Sequence, residues 1–189
     1  MDILVFNLQW MGFNVFLALI PIVFGALMFK TKSTVIKLAA GFIWFIFLPN
    51  TIYLLTDITH LFEDAQKLAP IYLLWDTFLY LSLIPIGITT FILAIDPFEK
   101  MLFRNKSKKK IKDNLPIIYI LNFFVGFGIV LGWVHRANSW EVFTDTQKVI
   151  GSSLATIKSW ELMVLVLVFS AVAQLVYLKF KKPVLRIVK

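Results

Sequence analysis

The sequence predicts an all-α membrane protein: a five-span transmembrane helix bundle, N-terminus outside and C-terminus inside, with short interfacial helices. Three observations predict it. The 189 residues are 59% hydrophobic, 16% aromatic and only 16% charged, with mean hydropathy +0.82, whereas a soluble domain carries about 25% charged residues. Five stretches approach the roughly 20 apolar residues that a membrane-crossing helix needs. The basic residues sort to one side of those stretches. The length allows a single transmembrane domain, 1–189. With no cysteine, disulfides, thiolate catalysis and cysteine metal sites are excluded.

The first span is predicted over 8–29, "LQWMGFNVFLALIPIVFGALMF". It has no basic n-region and too long an apolar part for a cleaved signal peptide. The others are predicted over 38–55, 69–95, 115–134 and 162–180, the third long enough to tilt. Five spans put the termini on opposite sides, and Lys and Arg decide which. Three basic residues follow the first span, seven follow the third and five follow the fifth, so 15 gather on one side against 4 on the other. The richer side is read as the inside of a cell (plasma) membrane. The net charge of +8 is therefore a topology signal, and nucleic acid is not expected as a partner. "RNKSKKKIK", 104–112, would attract anionic headgroups, making membrane lipids the expected partners.

Two connecting segments read as interfacial helices. In "DPFEKMLF", Asp96 stands at a cap position, Pro97 at the first helical position and Glu99 three residues after the cap. Later, Ile150, Leu154, Ile157 and Glu161 keep helical spacing, with Val149 and Trp160 adding apolar area.

The polar residues inside these apolar runs are the candidate site. "LPNTIYLLTDITH", 48–60, places Asn50, Tyr53, Asp57 and His60 at helical steps of three and four. Pro49 lacks an N–H, so a kink is predicted there. At 1.5 Å per residue Pro49 lies about 16 Å into its span, and the stripe climbs from it to the outer surface. Such a stripe must face other helices or a wet cavity. Asp76 sits roughly 9 Å into the third span. "GWVHRANSWE" delivers His135, Arg136, Asn138, Ser139, Trp140 and Glu141 to the same side. Asp57, His60 and Asp76 are the candidate proton-transfer groups. Asn50, Tyr53, Arg136, Asn138, Ser139 and Trp140 are the candidate ligand-binding groups.

Plainer readings stand beside these. Arg136 could pair with Asp57 or Asp76 and hold two helices together. Asn14, Asn50 and Asn122 could be interhelical hydrogen-bond links, and the "GFG" at 126–128 close-packing positions. Asp57, His60 and His135 could offer three metal ligands, but two histidines without an H-E-x-x-H pattern assign no metal.

At "LPNTIYLLTDITHL" and "GFGIVLGWVHRANSWEV" the chain resembles a bacterial integral-membrane family catalogued as domain of unknown function 1361. The matching positions are Pro49, Asn50, Tyr53, Thr56, Asp57 and His60; Asp76; then Gly132, Arg136, Asn138, Ser139, Trp140 and Glu141. "NVFLALIP", 14–21, resembles its first-span pattern. Trp133 departs from it, standing where the resemblance implies a second arginine and hence an anion clamp. The resemblance implies a topology and a site position but no reaction or cofactor.

Three functions follow as expectations. The first is an outward-facing polar pocket that binds or processes a lipid-linked or envelope ligand, with Arg136 on an anionic group. The second is a small proton-coupled transporter or accessory membrane subunit, with Asp76 as the coupling group. The third is a purely structural membrane protein.

Overall fold

A computed structural model describes residues 2–103 and 115–188. Five of its helical stretches are long and apolar enough to cross a membrane: Ile3–Lys30, Thr34–Asp64, Pro70–Leu102, Pro116–His135 and Trp160–Ile187. Each contains or overlaps one predicted span, and the chain is an all-α membrane protein. Large apolar side chains such as Phe16, Val23, Trp75, Phe78 and Leu167 stay exposed around the bundle. In water so much apolar surface would drive association; in a bilayer it meets acyl chains.

Helix α1 is Asp2–Lys30 and α2 is Thr34–Phe47. The Ser33 hydroxyl caps α2, accepting from Ile36 N–H at 3.5 Å. The second span then breaks. It continues as α3, Pro49–Tyr53, a 3-10 turn, Thr56–Ile58, and α4, Thr59–Asp64. Helix α5 is Pro70–Phe103 and α6 is Leu115–His135. A one-turn α7, Glu141–Thr144, leads into α8, Thr146–Lys158, and α9, Trp160–Ile187. Helix α1 packs along α5 and α2, α6 runs along α9, and α5 also meets α9, while α3 leans on α6.

Small residues let these helices approach. A methyl on Gly126 of α6 would lie 2.6 Å from the Val166 carbonyl oxygen and 2.7 Å from the Ser170 nitrogen of α9. One on Gly128 would enter the Pro49 ring of α3. The two glycines of "GFG" thus serve different neighbours. Deeper along the same seam, Asn122 donates to the Gln174 side chain at 2.6 Å, a buried link between α6 and α9. The Trp44 indole donates to Ala94 O at 2.8 Å and stacks on Phe98, joining α2 to α5.

The structure corrects the reading of 96–103. No separate interfacial helix begins at Asp96; α5 runs through Pro85 and Pro97 to Phe103. Asp96 pairs with Lys100 one turn on, and Glu99 pairs with Lys181 of α9. The amphipathic helix expected after α6 does form, as α8, with Ile150, Leu154 and Ile157 exposed along one side. Trp160 and Glu161 belong to α9 instead, because Ser159 caps that helix by accepting from Leu162 N–H at 3.3 Å. The basic run 104–112 lies outside the described residues.

Candidate functional site

The break at Pro49 builds the first wall of the site. Thr51 N–H bonds to Leu48 O at 3.2 Å, one residue short of the α-helical register. The Asn50 side chain covers Phe47 O at 3.1 Å and also donates to Ser139 Oγ at 2.8 Å. One amide therefore seals the break and ties α3 to the turn after α6. Beyond it, Asn50, Tyr53, Asp57 and His60 all line one cavity of about 760 Å³. The polar stripe keeps a common face through the irregular segment and continues to Asp64.

Helix α1 supplies the opposite wall with a face that steps through Asn7, Trp10, Asn14 and Leu17. Asn14 donates to Asp57 at 3.1 Å, and Asp57 is only 1% exposed. The Asn7 amide donates to both Asp64 and Asp76 at 2.9 Å, while its oxygen accepts from Trp10 at 3.0 Å. Tyr80 donates to Asp64 at 2.9 Å. Three segments, α1, α4 and α5, thus meet at two buried carboxyl groups bridged by one neutral amide. The second oxygen of Asp76 is buried with no hydrogen-bond partner among the described residues. Asp76 itself stands behind Asn7 and Asp64, outside the cavity lining.

The third wall is the end of α6 and the turn after it. Arg136 has φ 51°, in the left-handed region. Ala137 N–H reaches back to Leu131 O at 3.0 Å, and the Lys148 ammonium holds Arg136 O at 2.8 Å. Glu141 accepts from Asn138 N–H and from Lys148, both at 2.7 Å. Arg136, Asn138 and Ser139 line the cavity. Gly132 leaves room for the Tyr53 ring, which a methyl there would approach to 3.2 Å. Tyr53, Asp57 and Arg136 all face the same cavity. Among the described residues no carboxylate lies within 4.0 Å of the Arg136 guanidinium.

Bonding from Lys148, reinforced by the Asn138 N–H, holds the Glu141 carboxyl below its ordinary range. A depressed folded-state value stabilises the turn above the unfolded value, and that contribution disappears as pH falls through the folded one. The Asn138 amide should therefore lose protection, measured against its intrinsic exchange rate at each pH, once pH drops below the usual Glu range, and Glu141→Gln should lower that protection at neutral pH as well. Amide exchange followed by mass spectrometry checks both.

The family model described as "Protein of unknown function (DUF1361)" matches residues 13–176. The chain belongs to this family. No curated protein and no solved structure matches it. In this DUF1361 chain the matched range takes in every wall of the cavity except the α1 turns that carry Asn7 and Trp10.

Of the predicted site residues, Asn50, Tyr53, Asp57, His60, Arg136, Asn138 and Ser139 come together around the cavity of the DUF1361 chain. Trp140 turns aside to meet Phe13 edge-on, ring centres 5.5 Å apart. Trp133 packs against Phe169 of α9, so position 133 points away from the cavity. His60 sits edge-on to Trp10 at 5.6 Å. His135 bonds to Thr156 at 3.1 Å instead of joining Asp57 and His60. Among the described residues no three His, Asp or Glu side chains gather to hold a metal. Asn7, Trp10, Asp64 and Tyr80 were not anticipated. The predicted first span began one residue past Asn7, yet the steps 7, 10, 14 already marked one helical face.

Proposed function

We propose that the cavity binds, or processes, a lipid-linked or envelope ligand whose anionic group sits on Arg136. The carrying observation is the Arg136 guanidinium, free of any carboxylate within 4.0 Å among the described residues, at the edge of a cavity of about 760 Å³. That size suits a small-molecule site. A guanidinium recognises a phosphate or carboxylate through two parallel hydrogen bonds. Asn14, Asn50, Tyr53 and Ser139 add donors and acceptors for a polar head, and Asp57 with His60 are the groups able to move a proton there. The sorting of basic residues supports an N-terminus outside, with the cavity opening to the exterior of a plasma membrane.

Phosphatidylglycerol is a suitable probe. Arg136→Ala should weaken its binding to the purified protein by about 10- to 100-fold, the worth of a charge-assisted pair. Lys158→Ala, on α8 and away from the cavity lining, should leave it unchanged. Equal affinities for Arg136→Ala and the parent protein would remove Arg136 from the site.

One observation favours a second reading, a proton-coupled transporter. Asp76 is fully buried, has one oxygen without a partner among the described residues and reaches the cavity through Asn7 and Asp64. In that case Asp76→Asn abolishes a proton-dependent flux in reconstituted vesicles; a flux that persists excludes Asp76 as the coupling group.

A further inference from the structure

We infer that the ligand is a membrane lipid that enters sideways, its chain passing between α2 and α6 through a portal made by Phe45 and Phe124. This rests on reading the cavity as a binding site.

Phe45 and Phe124 line the cavity and are 40% and 45% exposed. Their rings meet edge-on at 5.5 Å, while α6 takes its backbone contact from α3, so α2 stands off from α6 at this level. The pair is therefore a thin partition between the cavity and whatever surrounds the helices. Phe45 lies 11 residues into α2 and Phe124 nine residues into α6, about 16 and 13 Å along. Both are thus near the middle of the hydrocarbon, and the surroundings there are acyl chains. Phe42 and Phe143 continue the aromatic seam at 6.2 Å, both exposed.

The cavity is amphipathic along its length. Arg136 and Asn138 follow the C-terminal end of α6, and Phe127, Phe124 and Phe45 line a stretch nearer the middle of the helices. Arg136 stands twelve positions after Phe124, just past the end of α6, about 18 Å along the helix. A free phosphate or a small polar solute occupies only the Arg136 end and leaves the apolar end filled with water beside lipid. A headgroup with an attached chain satisfies both ends, and its chain needs an exit into the bilayer at the height where the two phenylalanines stand.

The chain has no cysteine, so Phe45→Cys with Phe124→Cys can be bridged by a cleavable bismaleimide and released again. Two probes share one head: dihexadecanoyl and water-soluble dihexanoyl phosphatidylglycerol. The inference expects the unbridged double variant to prefer the long-chain probe. Bridging should cut that preference about tenfold or more by excluding chain methylenes, and cleavage should restore it. A preference untouched by bridging overturns the portal and leaves the binding reading standing. Equal affinity for both probes before bridging also overturns it, because the chain then contributes nothing. If the parent protein binds neither probe, the binding reading falls and the portal with it.

Discussion

Asn7→Ala should destabilise the protein by about 3–5 kcal/mol, measured by unfolding in a detergent-to-dodecyl-sulfate titration. Asn7 is 3% exposed and makes two donor bonds to carboxyl groups, Asp64 and Asp76, each at 2.9 Å. A hydrogen bond to a charged group contributes about 1.5–3 kcal/mol, and stranding a buried acceptor costs its full desolvation. Without the amide, Asp64 keeps only the Tyr80 hydroxyl, and Asp76 loses its one side-chain donor. The loss falls where α1, α4 and α5 meet, so it should loosen the cavity wall as well. Adding Asp76→Leu to Asn7→Ala should recover part of the stability, since removing both partners of a buried bond costs far less than removing one. A loss under about 1 kcal/mol for Asn7→Ala alone would mean that water already serves the cluster.

Gly126→Val should cost about 3 kcal/mol or more by the same titration, the upper end for overpacking. Besides the Ser170 hydroxyl, which can rotate, a Cβ there meets Val166 O and Ser170 N at 2.6 and 2.7 Å, both backbone, which no rotamer change can move aside. Helices α6 and α9 would have to part, stretching the buried Asn122–Gln174 bond. Gly12 is the contrasting case, with nothing within 4 Å of its would-be Cβ. Gly12→Ala should raise stability by about 0.5–1 kcal/mol through helix propensity alone. If the two changes had similar effects, close approach would not be what holds the α6–α9 seam.

The fold was legible where the physics is local. Apolar length marks a span whatever its neighbours, so all five were readable, and the proline at 49 announced its break because a missing N–H has no local remedy. The stripe from Asn50 to His60 was readable because helical spacing survives a short 3-10 turn. The region around Asp96 misled because an acid, a proline and a glutamate at those spacings mark a helix start in isolation. A proline is also tolerated inside a long helix held by its neighbours, and Lys181 of α9 holds Glu99 here. The meeting of Asn7 with Asp64 and Asp76 spans 57 and 69 residues of chain. Nothing in the local pattern says which distant acid an asparagine will find. His135 shows the same limit: its distance from His60 in space depends on how the helices pack, and Thr156 claims its ring.

Arg136 occupies a backbone conformation with φ 51° that glycine adopts freely and that costs an ordinary side chain about 1–2 kcal/mol. Two neighbours, Lys148 and Glu141, are spent on steadying that bend. A glycine at this position would close the end of α6 with less strain and fewer helpers. A chain that carries the costlier residue there forgoes an easy gain in stability, and what it keeps in exchange is a permanent positive charge aimed from a rigid pivot.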